Sequence, residues 1–261
     1  MEVIVMPDER RATQLTAKLI ADAVRAKPNL TLGLATGRTM ENLYALLGKM
    51  HKEEGLDFSL CRTFNLDEYV GLPGSDPNSY RAYMNHHLFS RINIDMRNTH
   101  LPHGDAADLK AECAEYEQLM LDEGGVDLQL LGIGRSGHIG FNEPLSPLTS
   151  RTRAIPLTPV TIAQNSPLFA NPADMPKRGL SMGVGTILES KRIVMLVTGA
   201  EKADIIAKAI EGPVTSMISA SALQMHNNAV VILDESAAAK LQGREYYDWI
   251  FQNEPHWAPY R

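Results

Sequence analysis

The chain has 261 residues, 44% hydrophobic and 21% charged, with a net charge of −6. That composition suits a globular protein able to bury a core, as one large α/β domain or two small ones. The negative balance argues against broad binding to nucleic acid or an acidic membrane, so an anionic ligand would need a local positive pocket.

Taken in order, residues 3–5 predict a strand and residues 8–27 a helix, with an apolar stripe through Ala12, Leu15, Leu19 and Ala23 and a stop at Pro28. Residues 30–36 predict a strand, 39–54 a helix and 62–66 a strand, followed by a long loop through Gly71-Leu72-Pro73-Gly74. Helices are predicted at 78–90 and 105–123, the latter with Leu109, Cys113, Tyr116 and Met120 on one face. A buried strand at 126–131 follows, then an irregular stretch at 146–179 rich in Pro, Ser and Thr. Alternation resumes with a strand at 193–197, a helix at 201–210, a strand at 229–233 and a terminal helix near 236–241. An aromatic tail after Gly243 can pack on the domain or on a neighbouring subunit.

This β/α alternation predicts a three-layer α/β fold, a mostly parallel sheet with helices on both faces. No linker, repeat or charge block divides the chain, so residues 1–261 are expected to form one domain, with a functional lid within 146–179. Cys61 and Cys113 read as reduced, buried small residues. The N-terminus lacks a signal-peptide core and no apolar run spans a bilayer, so a cytoplasmic protein without a membrane partner is expected.

Four junctions can carry chemistry, each where a strand gives way to a loop at the edge of the sheet that binds ligands. Ala35-Thr36-Gly37-Arg38-Thr39 runs into a helix whose free amides, with two hydroxyls and a guanidinium, suit a phosphate or carboxylate. Thr39 reads equally well as an ordinary helix cap. In Phe64-Asn65-Leu66-Asp67-Glu68-Tyr69, one carboxylate can act as a base for a C–H proton if burial lifts its pKa above about 4; a solvated Asp-Glu turn is the bland alternative.

Gly134-Arg135-Ser136-Gly137-His138-Ile139-Gly140-Phe141-Asn142-Glu143-Pro144 sets a histidine and a glutamate close enough to form an oriented proton-transfer pair. Thr198-Gly199-Ala200-Glu201-Lys202 places a lysine where it can meet a phosphate. His86 and His87 point roughly 100° apart on a helix and make poor joint ligands. Met182-Gly183-Val184-Gly185-Thr186 lacks the rest of a nucleotide fingerprint and reads as the turn that starts a helix. No metal and no nucleotide are expected.

These segments, together with Ser150-Arg151-Thr152-Arg153 and Ser219-Ala220-Ser221-Ala222-Leu223-Gln224, resemble the glucosamine-6-phosphate deaminase (glucosamine-6-phosphate isomerase) family along most of the chain. The resemblance implies a modified Rossmann-like fold and an enzyme, hydrolase and isomerase in class. It implies conversion of glucosamine 6-phosphate and water to fructose 6-phosphate and ammonia without a cofactor, in amino-sugar catabolism. The partner implied is an amino-sugar phosphate, with a homo-oligomer left open.

By the same resemblance Asp67 is the base moving a proton between C2 and C1, and His138 opens the sugar ring, with Glu143 orienting it. Thr36, Gly37, Arg38, Thr39, Gly137 and Lys202 fall at substrate and phosphate positions. Ser136 stands where other members carry an aspartate beside the histidine. Pro167 replaces a phosphate-binding lid arginine and Arg38 a glycine, suggesting that the charge has moved to the fixed loop. Of the allosteric positions of hexameric members, Ser146 and Arg153 are retained, whereas Ile155 replaces a lysine, which argues against activation by an acetylated sugar phosphate. Alternatives are a galactosamine-6-phosphate deaminase, a 6-phosphogluconolactonase of the same fold, and a non-catalytic sugar-phosphate sensor.

Overall fold

A computed structural model describes residues 1–261. In chain order the elements are β1 (Glu2–Met6), α1 (Glu9–Ala26), β2 (Thr31–Leu34), α2 (Arg38–Glu54), β3 (Arg62–Asn65), β4 (Asp67–Tyr69), α3 (Tyr80–His87), β5 (Thr99–His100), α4 (Leu109–Asp122), β6 (Leu128–Leu131), β7 (Arg153–Pro156), α5 (Pro159–Asn165), β8 (Arg178–Ser181), α6 (Val184–Leu188), β9 (Arg192–Val197), α7 (Ala203–Glu211), β10 (Ala229–Asp234) and α8 (Arg244–Asn253). No helix is long and apolar enough to cross a membrane.

Seven strands form one sheet in the order β1-β10-β9-β6-β2-β3-β5, and every neighbouring pair is parallel. Helices surround it in the three-layer α/β arrangement that the alternation predicts. β6 and β10 are buried along their whole length, because a sheet covered on both faces has no solvent side. From β2 the chain moves outward to β3 and β5, then returns to set β6 on the other side of β2. Connections leaving β2 and β6 thus diverge, which opens a crevice at the carboxyl edge of the sheet.

Side-chain caps explain where α1 and α4 begin. The Asp8 carboxylate accepts the Arg11 amide at 2.8 Å and starts α1, whose Ala12, Leu15 and Leu19 are buried against the sheet. α4 starts at Leu109, four residues later than the sequence suggests, because Asp108 takes the Lys110 and Ala111 amides at 2.9 and 3.0 Å.

Two stretches fold differently from the expectation. The 146–179 region is not irregular. It contributes β7 and α5, and with β4 and β8 builds an antiparallel three-stranded sheet in the order β4-β8-β7. Beneath it lies a separate apolar cluster of Tyr69, Phe141, Ile155, Leu157, Phe169 and Met175. Asp67-Glu68-Tyr69 is therefore a strand in its own right rather than the tail of β3.

Residues 236–241 form turns instead of the terminal helix. The Asp234 carboxylate captures the Ala237 amide at 2.8 Å, and Glu211 holds the Gln242 and Gly243 amides, which delays the helix until Arg244. The aromatic tail divides: Trp257 is 1% exposed in the core, whereas Tyr246 and Trp249 stay 64% and 55% exposed on α8.

β2 joins β6 only through Leu32↔Leu128 and Gly33↔Gln129. The fully buried Gln129 side chain lies across Gly33, so a Cβ added there would sit 2.1 Å from Gln129 Oε1. Gly33→Ala should accordingly lower stability by about 1–3 kcal/mol through overpacking. Urea unfolding checks this, and an unchanged midpoint would mean that Gln129 moves aside freely.

Candidate active site

The four sequence junctions leave β9, β6, β2 and β3, which are consecutive neighbours in the sheet. Parallel pairing brings their loops to one edge, around the crevice between β2 and β6.

At the end of β2, Gly37 rather than Thr39 precedes α2, and no side chain caps that helix. Its first-turn amides and dipole are left to serve an anion. Gly37 and Arg38 are exposed, and Thr36 and Thr39 half-buried. The Tyr83 hydroxyl, from α3, donates to the Gly37 carbonyl at 2.8 Å and braces the loop from outside.

Asp67 and Glu68 are adjacent, 6% and 2% exposed, and differ in what they touch. Glu68 accepts the Tyr69, Tyr80 and Arg81 amides at 2.8, 2.9 and 3.0 Å, fastening the start of α3. Burial raises its pKa while those amides pull it back. Asp67 has no such compensation. Burial, and then the neighbouring Glu68 charge, push its carboxyl up to about 8. The solvated-turn alternative is excluded, and of the two acids Asp67 is the one free to exchange a proton with a ligand.

The loop after β6 is folded back on itself: the Gly134 amide donates to the His138 carbonyl at 2.9 Å, and the Gly137 amide to the Gly134 carbonyl at 3.0 Å. Ser136 Oγ lies 2.7 Å from His138 Nδ1 and 3.3 Å from Glu143 Oε2. Glu143 Oε2 is 3.2 Å from the same ring nitrogen. Serine and glutamate both engage Nδ1, so Nε2 is the nitrogen left for a ligand. Burial pushes the Glu143 carboxyl up, but the bond and charge of His138, the Thr161 hydroxyl and the Thr158 amide outweigh it and bring the pKa down to about 2. This carboxylate stays ionised.

Gly140, at φ 55°, turns the loop back over Asp67. A Cβ there would stand 3.7 Å from Asp67 Oδ2 and 2.8 Å from Ser181 Oγ, a close approach that only glycine permits. The candidate base thus lies against the inner side of the histidine loop. Lys202 reaches in from the turn before α7, and its ammonium donates to the Ile133 carbonyl at 2.8 Å. Burial lowers its pKa, Glu201 opposing and Arg135 adding to the shift. All ten candidate residues lie at the four junctions of this edge: Thr36 and Gly37 after β2, Arg38 and Thr39 in the first turn of α2, Asp67 at the start of β4, Ser136, Gly137, His138 and Glu143 after β6, and Lys202 before α7.

Ser181, Thr158 and Thr161 carry no signal in the sequence, whereas Asn142, Ser146, Arg153 and Ile155 lie in segments it singles out. Ser181 Oγ accepts the Phe141 amide at 3.0 Å. Asn142 Nδ2 bonds the Ile139 and Met182 carbonyls, while its Oδ1 accepts from Arg153 at 2.9 Å. Arg153 also donates to Ser146 at 2.8 Å, and Ile155 is buried in the small apolar cluster. Thr158 and Thr161, in the stretch read as irregular, reach Glu143. No group of three His, Cys, Asp or Glu side chains is arranged to hold a metal ion.

Residues 9–232 match the family model of glucosamine-6-phosphate isomerases/6-phosphogluconolactonase. A glucosamine-6-phosphate deaminase of Cellvibrio japonicus is 48% identical over 250 residues, covering 96% of this chain and 95% of that relative. One of Arthrobacter sp. is 44% identical over 257 residues, 98% of this chain and 99% of the relative. The solved structure of a monomeric glucosamine-6-phosphate deaminase matches with a TM-score of 0.90 and 43% identity, over 92% of this chain and 100% of that one. A 6-phosphogluconolactonase from Trypanosoma cruzi matches with a TM-score of 0.73 at 19% identity, over 92% and 97% of the two chains, a likeness of fold alone.

Asp67 holds its proton more tightly in the folded protein than in the unfolded chain. Between an unfolded value near 4 and about 8, the folded state keeps a proton that the unfolded state has released. Stability therefore falls as pH rises through that window. Asp67→Asn removes this dependence, so the mutant should gain thermal midpoint over the wild type as pH rises from about 5 to about 8. Melting curves at the two pH values check it; a gap that does not grow would contradict the assignment.

Proposed function

Because the chain belongs to the glucosamine-6-phosphate isomerase/6-phosphogluconolactonase family, we propose that it deaminates glucosamine 6-phosphate to fructose 6-phosphate and ammonia. One observation carries the reading: a buried carboxyl without hydrogen-bond compensation, Asp67, lies against the loop that presents a Ser136-His138-Glu143 cluster.

The chemistry follows from these positions. The sugar phosphate sits with its phosphate on the α2 amides, Thr36, Thr39, Arg38 and Lys202. His138 Nε2 passes a proton between the anomeric hydroxyl and the ring oxygen, and the ring opens to the aldehyde. Glu143 and Ser136 on Nδ1 fix the imidazole's orientation and stabilise it when it is charged. The substrate ammonium beside Asp67 draws the carboxyl towards its ionised form by opposite charge.

Asp67 then takes the proton from C2 and returns it to C1 through an enolamine. The C2 iminium that results adds water and expels ammonia, leaving the ketose. The class is isomerase and deaminase rather than hydrolase, since proton transfer between two carbons sets up the step and water enters only at the iminium.

We further read residues 1–261 as one sugar-phosphate domain, with α5 and its flanks within 146–179 as a lid. α5 sits over the cluster, its first turn on Glu143 and its last residue, Asn165, donating to the Tyr69 hydroxyl at 3.0 Å.

Purified protein incubated with glucosamine 6-phosphate should release ammonia and ketose phosphate in equal amounts. Galactosamine 6-phosphate is the companion substrate, and ammonia from it alone would reassign the epimer. Ammonia from neither would overturn the reading in favour of a sensor. Asp67→Asn should lower kcat by roughly 10²–10⁴-fold, the usual contribution of a general base. Arg38→Gly should raise KM about tenfold, close to 1.4 kcal/mol of phosphate binding, and an unchanged KM would remove Arg38 from the cradle.

A further inference from the structure

The Glu143 carboxylate is divided between two parts of the molecule. Oε2 faces the catalytic loop, with His138 Nδ1 at 3.2 Å and Ser136 Oγ at 3.3 Å. Oε1 faces α5, where it accepts the Thr161 hydroxyl and, at 3.3 Å, the Thr158 amide. Glu143 is 5% exposed and Thr161 3% exposed, so these contacts are withdrawn from bulk solvent.

The Thr161 hydroxyl is not needed to begin the helix. Thr158 is the cap of α5, its hydroxyl accepting the Thr161 amide at 3.3 Å. The Thr158 hydroxyl also donates to Thr161 Oγ1 at 3.3 Å, which leaves the Thr161 proton for Glu143. A hydroxyl that its own helix does not use, buried and aimed at the carboxylate that orients the histidine, has a role beyond folding α5.

We propose that Thr161 is a positioning residue that makes the alignment of His138 conditional on the seating of α5, acting through Glu143. The inference rests on the deaminase reading. When α5 is seated, all four contacts pin both carboxylate oxygens and hence the imidazole held by one of them. When α5 lifts, Oε1 loses the hydroxyl and the amide together, and the carboxylate is free to rotate about its last bond. Ring opening then proceeds only beneath a seated lid, where the opened aldehyde is shielded from water.

The test is steady-state ammonia release from glucosamine 6-phosphate by the wild type, Thr161→Val and Thr161→Ser. Valine keeps the shape and removes the hydroxyl, so kcat should fall about tenfold while KM changes by less than about twofold. Serine keeps the hydroxyl and should hold kcat within about threefold of the wild type. In a Glu143→Gln background the valine change should cost less than about threefold, because a residue acting through Glu143 has nothing left to position.

An unchanged kcat in Thr161→Val would overturn the inference, as would equal loss in the serine variant, a loss confined to KM, or full additivity with Glu143→Gln. If Thr161→Val proves unfolded by its melting curve, Thr161→Ala carries the same expectations. A wild type that releases no ammonia overturns the functional reading and this inference with it, whereas an active wild type with indifferent variants overturns this inference alone.

Discussion

The short seam between β2 and β6 holds the two halves of the site together. Two residue pairs make it, and the close approach depends on Gly33 accepting the Gln129 side chain across its face. On one side of the seam hang the candidate anion loop at Gly37 and the candidate base Asp67; on the other hang the imidazole loop and, through β9, Lys202. A parallel sheet cannot move one strand end without its neighbours, so this contact sets the width of the crevice for every functional group. The bond from Lys202 to the Ile133 carbonyl ties the far side in the same way.

Three buried carboxyl groups on this edge show how environment assigns role. Glu68 spends itself on three amides and becomes a structural clamp for α3. Glu143 gathers a ring nitrogen, hydroxyls and an amide, and stays charged. Asp67 receives none of these, and burial together with the Glu68 charge leaves it protonated near neutrality. The residue types are almost interchangeable; the donors around them are not. The second sheet creates that difference, since β4 carries Asp67 and Glu68 into a layer closed over by β8 and α5.

Much of this was legible in the sequence, for physical reasons. Long amphipathic runs such as residues 8–27 announce themselves by period, and continuous apolar strands such as Leu128–Leu131 by burial on both faces. Three of the four strand-to-loop junctions follow from glycines placed after such strands and the fourth from the paired acids Asp67-Glu68, and they do meet on one edge. The second sheet was not legible, because β7 and β8 have four residues each, β7 ends in Pro156, and their pairing is distant from the parallel pattern. The run Ser236-Ala237-Ala238-Ala239 has the composition of a helix, yet Asp234 and Glu211 capture the amides a helix would need. Nothing local marks Thr161 or Tyr83 either, since each matters through a contact with a residue remote in sequence.

The protonated state of Asp67 bears on how a substrate arrives. The chain carries six more acidic than basic side chains, and a dianion diffusing towards it meets a repulsive far field. With Asp67 neutral, one carboxylate fewer opposes Arg38, Lys202 and the bare amides, although Glu143 stays ionised and Glu201 stands beside Lys202. On the proposed function, this edge is thus less repulsive to an anion than it would be with Asp67 ionised. On the same proposal, the negative charge of Asp67 is switched on by the substrate itself, as the amine draws near.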